Sequence, residues 1–279
     1  MSETAQWELS GFGDEIDDDP RIQAAVMRAL GAAHIEVRSA WGTNIVDMSE
    51  EQLTELKGVL DEAGLKVSAI ASPIGKVDVG LPVEHEVERL GRALRAAEVL
   101  GAPFIRIFSF YYEGKSAEEV RDAVVERMTA LARRAEGTGV TLVHENEKDI
   151  FGDVPSRVAD IIESVNSPAL KVAWDPANFV QVGVKPFTEA YELLRPHLVY
   201  LQVKDALFDG GRVVPAGEGD GEVLRTVEAL RDSGYTGFAS LEPHLAAAFS
   251  LGGYSGPYAF GVAARAFAKV LDAAGVATV

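Results

Sequence analysis

The chain predicts a closed (β/α)₈ barrel of the TIM-barrel class, and three observations point there. Short β-rich runs alternate with longer segments whose apolar residues recur every three or four positions, the signature of parallel βα units. Eight such units fit into 279 residues, whereas an open doubly wound sheet usually needs fewer strands. No linker, low-complexity tract or composition shift interrupts the chain, so residues 1–279 are expected to form a single barrel domain.

The eight strand candidates are, in order, "ELSGFGD", "HIEVR", "KVSAIAS", "FIRIFSF", "VTLVHENE", "LKVAWD", "LVYLQVKD" and "GFASLEP". Each is a short β-branched or aromatic run bounded by turn or helix-start residues. Between them lie helical stretches such as "DPRIQAAVMRALGAA", "SEEQLTELKGVLDEAG", "EHEVERLGRALRAAEVLG" and "SAEEVRDAVVERMTALARRAEGTG", several with glycine near the C-terminal end. Ser49 with Gln52 has the spacing of a capping box for the second.

Composition narrows the function classes. At 47% hydrophobic and 25% charged residues the chain reads as globular, and a formal net charge of −17 disfavours general binding to nucleic acid or to an anionic membrane surface. No stretch has the apolar length of a membrane span, and residues 1–20 lack the basic and apolar regions of a secretory leader, so a cytoplasmic location is expected. Without cysteine there is neither a disulfide nor a thiolate metal site, and any metal would be held by oxygen or imidazole. Self-association into a homo-oligomer is left open.

Barrel enzymes carry their chemistry at the C-terminal ends of the strands. Strand five ends at Glu145, strand six at Asp175, strand seven at Gln202 and Lys204, and strand eight at Glu242. Period-two alternation puts Glu145 on a face with Val143, Asp175 with Ala173 and Glu242 with Ser240, leaving Trp174 and Leu241 to pack outward. Three carboxylates and an amide converging on one mouth would repel one another without a cation, which makes a hard divalent metal the economical explanation. An all-oxygen set suits Mn²⁺ first, with Mg²⁺ or Co²⁺ as alternatives.

These stretches, "HENE", "WDPANF", "YLQVKDAL", "PAGEGDGEV" and "GFASLEPHL", resemble the xylose-isomerase-like barrels that include ketose 3-epimerases, hydroxypyruvate isomerases and inosose dehydratases. The resemblance covers nearly the whole chain. It implies that Glu145, Asp175, Gln202 and Glu242 hold the metal, and that Glu145 and Glu242 exchange a proton with a carbon beside a substrate carbonyl, through an enediolate. The substrate it implies is a small-molecule carbohydrate, a keto-sugar or related hydroxy-carbonyl compound, and the reaction an isomerisation or epimerisation. The alternative is a lyase of the same fold, dehydrating a keto-inositol or cleaving an oxidised glycoside by β-elimination. Two positions depart from the common epimerase pattern: Gln202, where histidine is frequent, and Asn178, where an Asp-x-x-His motif would place histidine. A related class, endonucleases acting on abasic sites with a histidine-rich multi-zinc cluster, is disfavoured by only five histidines, none at those two positions.

Further candidates for substrate binding are Lys204, Glu147, Arg38, Arg106 and His244. Lys204 shares the inner face with Gln202 and would meet either a substrate oxygen or the carboxylates of Glu242 or Asp175. Glu36 and Arg38 share one face of strand two, where an ion pair between barrel layers is at least as natural as a role at the mouth. The same holds for Arg106. Glu147 follows strand five, where a sugar site would need hydrogen-bonding groups. His144 opposes Glu145 by parity and is expected to pack; Phe12 and Trp41 read as packing or as a cover for a sugar's apolar face. The glycines of "PAGEGDGEV" do not make a phosphate cradle, because Glu218, Asp220 and Glu222 would repel phosphate; the loop is expected to close over the site or lead to the next helix. Little basic chemistry follows strands seven and eight, which points to an unphosphorylated substrate.

Overall fold

The computed structural model describes residues 5–245 and 255–279. Strands and helices alternate along it: β1 (Ala5–Gly11), α1 (Pro20–Ala29), β2 (His34–Val37), α2 (Glu50–Glu62), β3 (Lys66–Ala71), α3 (Val83–Leu100), β4 (Phe104–Ile107) and α4 (Ala117–Ala135). Then come β5 (Thr141–Glu145), α5 (Pro155–Val165), β6 (Leu170–Trp174), α6 (Pro176–Gln181), β7 (Leu198–Val203), α7 (Val223–Asp232), β8 (Phe238–Leu241), α8 (Gly256–Ala274) and β9 (Val276–Thr278). The nine strands form one sheet in the order β9-β1-β8-β7-β6-β5-β4-β3-β2, every ladder parallel. A bridge between Phe12 and Glu36 joins the β1 and β2 edges and closes the TIM barrel. β9 is additional to the eight expected strands and pairs with the outer edge of β1, Ala5 opposite Val276.

Helix starts follow local chemistry. Asp19 accepts from the Arg21 N–H with Pro20 in the first turn, and Ser49–Gln52 and Ser116–Glu119 both form reciprocal capping boxes. After β6, two features were not apparent in the sequence: the short α6 at the barrel mouth, and a π-helical turn, Pro186–Tyr191, that continues into Glu192–Leu194.

Alternation then sorts the side chains. Outward residues such as Trp174 are fully buried against the helical layer, where Trp174 meets Phe179 and Tyr191 edge to face. Inward, Ala69, Val143, Ala173 and Tyr200 make an apolar layer. Adjoining it is a polar layer, in which Glu36 Oε2 accepts from the Tyr200 hydroxyl at 2.8 Å and from Ser240 Oγ at 2.6 Å. Burial pushes the Glu36 carboxyl up to about 7, against the pull of Arg106 and these two hydroxyls. Glu36 thus belongs to the barrel interior and Arg38 to the mouth; the pairing that strand parity allowed between them is replaced by separate partners. Among the described residues no helix is long and apolar enough to cross a membrane.

Candidate active site

The C-terminal strand ends bring the sequence-predicted carboxylates together. Glu145, Asp175 and Glu242 are all buried, and one oxygen from each lies within 4.8 Å of the others. Gln202 has Tyr200's inward parity, pairs in register with Ser240, and is fully buried, yet neither its amide oxygen nor its nitrogen has a hydrogen-bond partner. A buried amide without partners costs about 1–3 kcal/mol, so this side chain fits a ligand that completes it.

Each carboxylate is positioned by more than its strand. Asp175 caps α6, its Oδ1 accepting from the Asn178 N–H at 3.0 Å. The Asn146 side chain donates to the Asp175 carbonyl at 2.8 Å and accepts from its N–H at 3.0 Å, locking the ends of β5 and β6 together. Asn178 Nδ2 donates to Glu145 Oε1 at 3.0 Å, and Arg106 Nη1 donates to Glu145 Oε2 at 2.7 Å. Arg106 itself lies against the faces of Phe12 and Phe108. Glu242 accepts from Arg38 Nη1 at 2.8 Å and Lys204 Nζ at 3.0 Å, and Lys204 also lies 2.6 Å from Asp175 Oδ2.

The electrostatics divide the acids. Burial, reinforced by the Glu145 and Glu242 charges, pushes Asp175 up to about 7 even against Lys204. Burial acts on Glu242 as well, but Lys204, His244, Arg38 and Arg106 outweigh it and hold the carboxyl well below the usual range. The same carboxylates raise Lys204 well above its ordinary value despite burial, so it stays an ammonium.

A cavity of about 180 Å³ at the mouth is lined by Arg38, Lys76, Arg106, Glu147, Glu242 and His244. Each substrate-binding candidate except Lys204 therefore lines it, and Lys204, directly after β7, contacts its Glu242. Glu147 accepts from Lys76 at 2.8 Å, and His244 Nδ1 lies 2.6 Å from Glu15 and its Nε2 3.5 Å from Glu242. His144 is instead buried against Gly152 and Ser109, burial lowering it to about 3, as its outward parity requires. Trp41 packs against the core, while Phe12 is fully buried beneath the two arginines. Three larger cavities lie elsewhere, two of about 670 Å³, one along α3 and one among the loops after β4 and β5, and one of about 380 Å³ at the starts of β2 and β3; none is lined by any of the three clustered carboxylates.

The glycine-rich loop serves an anion after all, but an internal one. Asp205, directly after Lys204, accepts backbone N–H groups from Ala206, Gly217, Gly219 and Gly221 at 2.8–3.0 Å. A Cβ on Gly219 or Gly221 would come within 2.4 or 2.6 Å of Asp205 Oδ1, which is why the stretch needs glycine. Four residues of the site were not singled out from sequence: Asp14 and Glu15, which hold Arg38 at 2.8 and 3.2 Å, Lys76, and Asn146. Asp14 and Glu15 follow β1 as two acids in a row, a signal of the same kind as the others.

Barrel and mouth define a class, and the chain belongs to it: the xylose isomerase-like TIM-barrel family, whose model matches residues 24–253. A 2-epi-5-epi-valiolone 7-phosphate 2-epimerase of Actinoplanes sp. is 34% identical over 186 residues, 64% of this chain and 65% of its own length. The chain thus spans about two thirds of that curated relative. Among solved structures, a D-tagatose 3-epimerase-like protein superposes with a TM-score of 0.78 at 15% identity, covering 96% of this chain and 98% of its own. An IOLI protein with a bound zinc atom gives 0.77 at 17%, covering 95% and 98%, and a probable 3-DHS dehydratase, AsbF of Bacillus anthracis, gives 0.72 at 17%, covering 94% and 98%. At these identities the structural likeness speaks for the fold alone.

Proposed function

We propose that the protein is a divalent-metal-dependent isomerase or epimerase of a small keto-sugar or cyclitol, with Glu145, Asp175, Gln202 and Glu242 holding the ion. The observation that carries this reading is the partnerless buried amide of Gln202 beside three buried carboxylates within 4.8 Å of one another. Charge balance supports it. Around the mouth the six carboxyl groups of Asp14, Glu15, Glu145, Glu147, Asp175 and Glu242 outnumber the four permanent cations Arg38, Lys76, Arg106 and Lys204, and the raised Asp175 carboxyl reflects that excess, which a divalent ion would offset. When bound, that ion supplies Lewis-acid polarisation of a carbonyl and its neighbouring hydroxyl; the all-oxygen donor set favours Mn²⁺ or Mg²⁺.

The chain's own residues do the rest. Glu242, ionised and lining the mouth cavity, is the group placed to take a proton from the carbon beside the carbonyl. Glu145, with both oxygens already accepting from Asn178 and Arg106, is held in one orientation across the mouth, and a proton that it takes up from solvent would be delivered to the opposite face, while Glu242 gives the abstracted proton back to solvent. The mouth cavity, about 180 Å³, suits one monosaccharide-sized ligand, and its cations are already matched to carboxylates, which supports an uncharged reacting end. The epimerase relative's name supports epimerisation as the outcome. β-Elimination is the second reading, favoured by the Lys204 ammonium 3.0 Å from Glu242, a proton donor of the kind a departing hydroxyl needs.

Proton NMR in D₂O of ketoses, keto-inositols and hydroxypyruvate with Mn²⁺ tests both. Metal-dependent exchange of a hydrogen beside the carbonyl, with a new stereoisomer or regioisomer, is the expected result. Loss of the neighbouring oxygen substituent would favour the lyase. The absence of exchange in every substrate would overturn the reading.

A further inference from the structure

Lys204 touches one oxygen on each of two carboxylates proposed to hold the ion. Its ammonium is 2.6 Å from Asp175 Oδ2 and 3.0 Å from Glu242 Oε2, on a residue 4% exposed. Mn²⁺ or Mg²⁺ contacts oxygen at roughly 2.0–2.2 Å, so an ion shared by those oxygens would sit almost where Nζ is, and two cations at such a separation repel strongly in a buried site. The backbone at Lys204 has little freedom to relieve this. The Gln202–Ser240 pairing precedes it and the four N–H groups around Asp205 follow it. What can move is the side chain, a point charge on a flexible four-carbon stem. A second acid lines the same cavity as Glu242: Glu147 accepts from Lys76 at 2.8 Å, and although burial opposes its ionisation, Lys76 and Lys204 hold its carboxyl below the usual range.

Resting on the metal-site reading above, we infer that Lys204 is a resident counter-cation: it competes with the divalent ion for Asp175 and Glu242 and, when displaced, pairs with Glu147 at the substrate side of the mouth. Site affinity is then set by a lysine that is not a ligand. Deleting this buried, paired side chain should therefore strengthen metal binding instead of weakening it.

The test is calorimetric titration of Mn²⁺ into wild type, Lys204→Met and Lys204→Arg at one pH. Lys204→Met should bind at least about ten-fold tighter than wild type, and Lys204→Arg, which keeps the charge, within a few-fold of it. Equal or weaker binding by Lys204→Met, with wild type binding normally, would overturn this inference and leave the metal reading standing. No binding by any of the three would overturn the metal reading and the inference together. A crystal structure of wild type with Mn²⁺ gives an answer independent of the variants and separates displacement from remote charge effects. Nζ should lie beyond about 4 Å from Asp175 Oδ2, outside ion-pair range, and within reach of Glu147. An ammonium still seated on both oxygens beside the ion would refute the displacement.

Discussion

Arg38 donates to Glu242 at 2.8 Å while the same guanidinium holds Asp14 at 2.8 Å and Glu15 at 3.2 Å. One side chain thus ties the loop after β1, the end of β2 and the end of β8 at the seam where the barrel closes. Removing one partner of a buried charge cluster leaves the others uncompensated. Arg38→Met should therefore lower unfolding free energy by about 3 kcal/mol in urea, the lower end of the buried range because the side chain is 16% exposed. Unchanged stability would show that Glu15 and Glu242 find other partners.

Glu242→Gln keeps the size and a ligand oxygen but cannot take a proton. On a substrate that wild type converts, turnover should fall by a factor on the order of 100 or more with KM nearly unchanged. Near-normal turnover in the metal-loaded variant would leave Glu242 as a ligand and move the search for the base to His244, since Lys204 stays an ammonium.

Ligand chemistry separates Asp175 from Gln202. Asp175→Asn removes a ligand charge and should greatly weaken Mn²⁺ binding, whereas Gln202→His should retain an ion and shift preference toward Zn²⁺ or Co²⁺. Titration with each metal reads both effects, and equal Mn²⁺ affinity in wild type and Asp175→Asn would remove Asp175 from the ligand set.

His144 gives a pH dependence whose sign is fixed by burial. Its folded value lies near 3 against 6.5 in the free side chain, so the unfolded chain takes up the proton first as pH falls. Stability is complete above 6.5 and is lost through the window from 6.5 down to 3, with about 2 kcal/mol gone by pH 5. His144→Phe should flatten that slope between pH 7 and 5, measured by urea unfolding. An unchanged slope would assign the acid sensitivity elsewhere.

The Asp205 cradle is a third stability determinant. Asp205→Ala would strand four backbone N–H groups and should lower stability by about 2–4 kcal/mol. Gly219→Ala, whose methyl would press on the same carboxylate, should act in the same direction, and Glu218→Ala should be near neutral.

The barrel was legible because alternation at period two and at three to four survives in the linear chain, and the strand-end acids were legible because each ends its own run. Partner choice was not. Arg38 meets Glu242 across 204 positions, and nothing local to "HIEVR" says whether Glu36 or a distant acid will hold it. Lys204 was open between substrate and carboxylates until its distances to Asp175 and Glu242 were known. The glycine loop reads in sequence as a cover for the site or a lead into the next helix, its acids excluding phosphate; that its N–H groups turn inward to Asp205 depends on a contact between the end of β7 and the loop beyond it. β9 is three residues long, too short for periodicity to register.

β1 has a ladder with β8 on one side and one with β9 beyond it, but only the Phe12–Glu36 bridge toward β2. Its hydrogen-bonding neighbours are therefore among the last barrel strands to leave the ribosome, although β1 itself is the first. During synthesis the β2-to-β7 ladders can assemble as an open, curved half-shell while β1 waits with an unpaired edge, a template for wrong pairing until β8 arrives. The proposed metal site lacks Glu242 over the same interval, because Glu242 follows β8 in the chain. Closure of the barrel and completion of the proposed ligand set are thus one event in the life of a nascent chain.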